Sequence, residues 1–346
     1  MRAMVRYLFR IVLLVLVLQA VAIALTITFA APKTVDVNDS RKTIFQTDSK
    51  MAVYGSPLIA HASNRPQIVI LGSSNTTMGL RPDRLQPYLG DVPIHNISVG
   101  SEKFLAMSQI IDLLYRQTPP QNRHNYIFVL GISYPLISED AKRRASMHTS
   151  IDDELQRFGI FSHGGRSRVP DRWLPDALEA GWPFLVPKAV YNRLVRIFPE
   201  PYWFGLAEEV PFTAEESNVV QYNEQQHQER IAYYNSETLD PTGASTFAPL
   251  LDTVKRVSDA GGEVVIVDLP TAKWLQRATT HYAAYQRLRS AYLPQLEKIP
   301  HVRYINAEHG FSDEDFYDGI HPRNRVTPQI ARIVAPTIQQ ALKDYP

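Results

Sequence analysis

Short apolar runs recur along the chain, each stopped by glycine or a polar residue. They are Gln67-Ile-Val-Ile-Leu71 before Gly72, Tyr126-Ile-Phe-Val-Leu130 before Gly131, Glu263-Val-Val-Ile-Val-Asp268, and Val302-Arg-Tyr-Ile-Asn306. Runs this short, with such stops, predict strands rather than helices, and buried strands at 67–71 and 126–130. Pro93 to Ser98 is a weaker strand candidate. Helical spacing fills the intervals. Phe104 to Tyr115 offers Leu105, Ile110, Leu113 and Leu114 to one face, and Thr246 to Ala260 is followed by Gly261-Gly262, a helix stop. His281 to Ile299 is helical with Pro294 as its kink point, and Val326 to Leu342 is the last helix. Strands alternating with helices predict an α/β fold: a mainly parallel sheet covered by helices on both faces, three layers in all.

Three stretches break this rhythm. Ile11 to Ala31 carries no charge and follows Arg2, Arg6 and Arg10. As a helix it spans roughly 30 Å, the thickness of the bilayer core. The arginines hold residues 1–10 on the cytoplasmic side and send the remainder across. The expectation is a single-pass signal-anchor at 11–31 in a bacterial inner membrane, with the rest of the chain periplasmic. The alternative is a cleaved signal peptide ending near Phe29-Ala30-Ala31. Residues 32–66 are polar and mixed, and read as a tether with one helical turn or edge strand. Residues 138–245 lose the strand–helix rhythm and are rich in aromatic side chains, Trp173, Trp182, Tyr191, Tyr202 and Trp203 among them. They are expected to form a mostly helical insertion between core segments 67–137 and 246–346.

Composition narrows the chemistry. With 346 residues and 45% apolar positions a large core is affordable. A formal charge of +1 gives no electrostatic case for nucleic acid, and the lack of cysteine removes disulfides, thiol catalysis and cysteine-based zinc sites. His95, His124, His163, His281 and His309 have no metal-ligand spacing, and no phosphate-binding glycine loop or dinucleotide fingerprint occurs, so neither metal nor cofactor is expected. Asn75-Thr-Thr77 and Asn96-Ile-Ser98 fit a glycosylation pattern, but glycans there would cover the site proposed next, which favours a bacterial source.

Ligands of open parallel sheets bind at the carboxyl ends of the strands. Gly72-Ser73-Ser74-Asn75, Asn96-Ile-Ser-Val-Gly100 and Gly131-Ile-Ser133 all lie there, and Asp318-Gly-Ile-His321-Pro322 precedes the last helix. Ser74 sits where a strand feeds a helix start, so backbone N–H groups can face a developing oxyanion. His321 can take its proton, and a carboxylate three residues earlier, Asp318, can orient the ring. Each motif alone is an ordinary turn; their order within an alternating fold carries the case. Asp268, at a strand end, has two readings, facing the cleft or capping a loop, of which the cap is expected, and Glu102-Lys103 is expected to cap the helix that follows.

In this order the motifs resemble the SGNH (GDSL-like) hydrolase superfamily, over roughly Gln67 to Gly131 and Glu263 to the C-terminus. The resemblance implies a flavodoxin-like sheet, Ser74, Asp318 and His321 as catalytic triad, and Gly100 as an oxyanion donor. Ser73 stands where the commonest family motif has aspartate. Gly131-Ile-Ser133-Tyr134 lacks the family's third-block asparagine, leaving Ser133 or Asn75 to donate in its place or, alternatively, a weaker oxyanion hole. A catalytic domain behind a single anchor is similar to SGNH-like proteins that acylate bacterial exopolysaccharides or teichoic acid beside a membrane-bound O-acyltransferase. That similarity implies transfer or removal of an acyl group on envelope or secreted polysaccharide. A lipid or small-ester hydrolase, and a non-catalytic polysaccharide-binding scaffold, remain open alternatives. The aromatics of 138–245 either pack the insertion or stack on sugar rings.

Overall fold

The computed structural model describes residues 2–29, 52–53, 55–56, 59–60, 62–100, 103–139, 151 and 224–344. The chain divides into two compact units, one of Met1–Thr47 with Pro170–Glu209 and one of Asp48–Val169 with Val210–Pro346. In the first, the described element is helix α1 (Arg2–Phe29). Its described side chains, residues 4–18 and 20–21, are exposed although most are apolar. Among the described residues no helix is long and apolar enough to cross a membrane. The apolar run expected to span the bilayer extends beyond those side chains, so a crossing is not shown.

The second unit is built on a five-stranded parallel sheet. Its strands are β1 (Gln67–Leu71), β2 (Ile94–Asn96), β3 (Tyr126–Ile132), β6 (Glu263–Asp268) and β7 (Val302–Asn306), in the order β2-β1-β3-β6-β7. Register is fixed by Ile68 opposite Ile94, Gln67 opposite Tyr126, Ile127 opposite Glu263 and Val264 opposite Val302. Every residue of β1, β3 and β6 is buried, as central strands covered on both faces require. Strand β3 runs two residues past the apolar run that predicts it, through Gly131 to Ile132.

The helices α2 (Ser74–Gly79), α3 (Pro82–Leu89), α4 (Phe104–Gln117), α5 (Glu224–Ser236), α6 (Phe247–Asp259), α7 (Lys273–Ala278), α8 (Thr280–Leu296) and α9 (Thr327–Lys343) surround it. Side chains alternate across the pleat. Ile68, Ile70, Ile127, Val129, Val265 and Val267 join the core cluster that holds Leu85 and Leu89 of α3 with Ile330, Val334 and Ile338 of α9. On the other face Phe128 meets Tyr115 of α4 edge-on at 5.8 Å, and Phe247 of α6 lies 5.8 Å from Phe104 and 6.1 Å from Tyr285 of α8. The domain is thus three-layered. Helix α6 ends as its glycines predict: the N–H of Gly261 donates to Ser258 O and that of Gly262 to Val257 O. Pro294 lies in the last turn of α8, where it withholds one helical N–H, and the helix ends two residues on.

Two features differ from the sequence reading. Ala52, Val53, Ser56, Ile59 and Ala60, within the stretch read as a tether, are buried in this unit; Gln67 donates to Ile59 O at 3.1 Å. Second, a small antiparallel pair, β4 (Ser138–Glu139) with β5 (Thr238–Leu239), joins chain positions near the two ends of 138–245. Within that stretch, helix α5 is described. Trp173, Trp182, Tyr191, Tyr202, Trp203 and His163 lie outside the described residues, as do residues 30–51, Glu102 and the alternative cleavage point at Ala30-Ala31.

Candidate functional site

The carboxyl edge of the sheet gathers the motifs. At the end of β1 the chain turns at Gly72 directly into α2. Ser73 takes the N-cap position, its carbonyl accepting from Thr76 N at 2.9 Å and Thr77 N at 3.1 Å, and Ser74 is the first helical residue. A first-turn N–H has no acceptor within its own helix, so that of Ser74 is available to a ligand. Helix α2 packs very close to the strands. A Cβ on Gly72 would meet Thr76 Oγ1 at 2.0 Å, and one on Gly131 would meet it at 2.3 Å. Two glycines, one on each neighbouring strand end, therefore admit the fully buried Thr76 and seat the turn that carries Ser74.

The partner loop is a tight reversal. Phe316 bridges Pro322 in antiparallel fashion, and Tyr317 N donates to His321 O at 2.9 Å. Gly319, with φ of 91°, allows the bend; Ala272 N donates to its carbonyl at 2.8 Å, and a Cβ there would meet Trp274 at 2.8 Å. The loop is thus gripped by the segment after β6. His321 Nε2 lies 2.7 Å from Ser74 Oγ, and its Nδ1 lies 2.8 Å from Asp318 Oδ2. The carboxylate fixes Nδ1 as the protonated nitrogen, so Nε2 accepts from the serine hydroxyl. Of the two adjacent serines, Ser74 makes this contact; Ser73 Oγ donates to Asn75 Oδ1 at 2.7 Å.

Asp318 is buried. Burial pushes its carboxyl up, but the hydrogen bond and charge of His321, the charge of Arg230 and the backbone N–H of His321 outweigh that and hold it down at about 2. It is therefore ionised at neutral pH. Arg230, on α5, ion-pairs with Asp318 Oδ2. No sequence motif flags this arginine; the one legible signal is its place with His227 and Tyr234 on a single helix face, at i, i−3 and i+4.

The remaining expected donors sort as follows. Asn75 Nδ2 donates to Ser133 Oγ at 2.7 Å, and both residues are almost fully buried, so the two side chains bond to each other behind the Ser74 turn. Gly100 follows Val99, whose N–H donates to Gly72 O at 2.9 Å, and so the loop after β2 runs beside that turn. Asp268 does not cap a loop. It is wholly buried and accepts from Tyr285 Oη at 2.7 Å, from Tyr304 Oη at 3.0 Å and from Arg289, which also binds Glu308 at 2.8 Å. Burial and then the Glu308 charge push the Asp268 carboxyl up, while Arg289 and the Tyr285 hydroxyl pull it back. Lys103 takes the N-cap position of α4 without a side-chain cap, and its ammonium donates to Pro135 O at 2.6 Å. His95 meets Gln67 Oε1 at 3.1 Å and His281 meets Glu237 O at 3.0 Å, both as packing contacts. Among the described residues no group of three or more His, Asp or Glu side chains gathers as metal ligands would.

Chemically, the Ser74–His321–Asp318 line allows a hydroxyl to lose its proton to an imidazole while attacking an electrophilic carbon, with the developing imidazolium facing a carboxylate.

No protein-family model matches the chain, and comparison with curated proteins gives no match. A solved structure from Bacteroides fragilis, described as a "putative acylhydrolase", is similar over 82% of this chain and 95% of its own, at 10% identity and a TM-score of 0.39. A likeness of that degree says nothing about activity.

Proposed function

We propose that the chain is a serine-dependent acyl-ester enzyme of SGNH type, with Ser74 as nucleophile, His321 as general base and Asp318 as the residue that orients it. One observation carries this reading: Ser74 Oγ lies 2.7 Å from His321 Nε2 while the ring's other nitrogen lies 2.8 Å from Asp318, across 247 positions of sequence. The hydroxyl attacks the ester carbonyl, its proton passes to Nε2, and the alkoxide leaves with that proton as the acyl-serine forms. A second acceptor, water or a sugar hydroxyl, then reverses these steps. The first-turn N–H of Ser74 and the backbone at Gly100 serve as oxyanion donors, supported by the bond that ties Val99 to Gly72.

The substrate class we propose is acylated polysaccharide of the envelope or secreted from it, with a membrane-bound O-acyltransferase as partner and the N-terminal helix as a periplasm-facing anchor. The anchor rests on the uncharged run Ile11 to Ala31 behind three arginines, and on the helical backbone of α1. The test is release of acetate from a chromogenic acetyl ester by the full chain in detergent, beside Ser74→Ala. Wild type should turn over and trap an acyl-serine at Ser74. Equal inertness of both, with no acyl adduct in the presence of donor, ends the proposal. Polysaccharide competing with water as acceptor then separates transfer from hydrolysis.

A further inference from the structure

Helix α5 lies outside the segments that carry the motifs, yet its Arg230 reaches the Asp318 carboxylate. Four donors converge there. Oδ1 accepts from Ile320 N at 3.2 Å and His321 N at 3.0 Å; Oδ2 accepts from His321 Nδ1 at 2.8 Å and from Arg230 Nη2. Both oxygens are thereby committed, and the carboxylate cannot rotate without losing a bond. Three of those donors belong to the same short loop, 318–321, and move with it. Arg230 alone among them ties the carboxylate to a different element.

The arginine is itself held. Its guanidinium carbon lies 5.4 Å from the centre of the Tyr234 ring, one turn along α5, and Tyr234 packs against Tyr134 at 6.0 Å. One turn before it, His227 stacks on Trp274 at 4.2 Å, and Trp274 is the side chain that backs Gly319. Asn235 at the end of α5 accepts from Thr280 N at 3.2 Å. The helix is thus docked through Tyr134, Trp274 and Thr280, and Trp274 also packs against the loop that carries Asp318 and His321.

We infer that Arg230 is a positioning residue of the proposed site: acting through Asp318, it locks the His321 ring toward Ser74, so that part of 138–245 completes the active constellation. This rests on the ester-enzyme reading above. Arg230 meets the carboxylate oxygen that holds Nδ1 of the ring, whereas Ser74 meets Nε2, so it is placed to act on the base through Asp318. Its removal therefore slows chemistry and leaves substrate affinity alone.

The experiment uses the full chain in detergent with p-nitrophenyl acetate. Arg230→Met keeps the aliphatic stem over Tyr234 and removes the charge. It should lower kcat about 10-fold or more with KM within about twofold, since a charge-assisted bond to a carboxylate is lost. Arg230→Lys should recover most of that loss, and added guanidinium chloride at millimolar levels should partly restore Arg230→Met. In an Asp318→Asn background Arg230→Met should cost nothing further, because the group through which it acts is already neutral. A purely structural role predicts the opposite: a loss that adds in full to that of Asp318→Asn, with no rescue by lysine or guanidinium. That result, or wild-type kcat in a folded Arg230→Met, overturns the inference. If Ser74→Ala retains wild-type turnover, the ester-enzyme reading falls and takes the inference with it. If Ser74→Ala is inactive while Arg230→Met matches wild type, the inference alone falls.

Discussion

Gly131→Ala tests whether close packing under α2 sets the position of Ser74. The added methyl would sit 2.3 Å from Thr76 Oγ1, 2.6 Å from Cγ2 and 2.9 Å from Cβ, against an ordinary contact that begins at 3.4 Å. Something must therefore move by about 1 Å. Thr76 is fully buried between strand ends and cannot swing into solvent. If the side chain leaves its rotamer, the cost is about 1 kcal/mol; if the surroundings are overpacked, it is about 1–3 kcal/mol. Replacing a strand glycine returns roughly 0.5–1 kcal/mol through the unfolded chain, so a net loss of up to about 2.5 kcal/mol is expected. The functional effect is larger. Ser74 stands two residues before Thr76 on the same short helix, and a 1 Å lift would stretch its 2.7 Å bond to His321 beyond hydrogen-bonding range. Misplacement on that scale costs about 10²-fold in rate. Thr76→Ala removes the two atoms in closest conflict, so the double variant should regain much of both losses. Urea denaturation read by circular dichroism gives the stability term, and kcat on an acetyl ester gives the other. Wild-type midpoint and wild-type kcat in Gly131→Ala would refute the packing argument, and so would a double variant whose losses are simply additive.

Two further outcomes follow from the charges. The Asp318 carboxyl is held at about 2 in the folded protein against 3.8 unfolded, so it contributes stability that is present above pH 3.8 and is lost as pH falls through about 2. The contribution is about 2 kcal/mol, and acid titration of Asp318→Asn should lack that part of the decline between pH about 4 and about 2. Arg289→Met leaves Asp268 and Glu308, both largely shielded from solvent, without their shared cation, and should cost about 3–5 kcal/mol at neutral pH. The penalty should shrink as pH falls, since the Asp268 carboxyl, which burial already pushes up, then takes up a proton; a pH-independent penalty in chemical denaturation would contradict the ion-pair assignment.

The sheet was legible because its central strands are buried on both faces. Gln67–Leu71 and Glu263–Asp268 coincide with their apolar runs and are buried throughout; Val302–Asn306 also coincides with its predicted run, although it is an edge strand and only half-buried. Strand β3 escaped at its end because Gly131 reads as punctuation. In the fold it is a strand residue that must be small, for a reason 55 positions away in Thr76. Ala52, Val53, Ser56, Ile59 and Ala60 read as polar linker for a similar reason: their burial goes with contacts such as that of Gln67, whose amide reaches the Ile59 carbonyl, and not with any period of their own.

Ser74, Asp318 and His321 were legible because each stands in a local motif, a strand-to-helix turn or a tight loop, although Gly131, Ala272 and Trp274 from elsewhere in the chain help to seat those turns. Arg230 was not, for a physical reason. A charged residue on a helix normally means a solvated face, and alignment with His227 and Tyr234 does not by itself tell an arginine that meets a carboxylate from one that meets water. The distinction is made by the docking of that helix, through Tyr234 on Tyr134 and His227 on Trp274, partners scattered from 134 to 274. The same holds for Asp268. At the end of a strand an aspartate looks like a loop cap, and only the arrival of Tyr285, Arg289 and Tyr304 from two later elements turns it into the centre of a buried network. Short-range geometry writes itself into neighbouring residues. A charge whose partner arrives from a distant element leaves no such trace, and it is in those pairings that this fold adds to what its motifs already state.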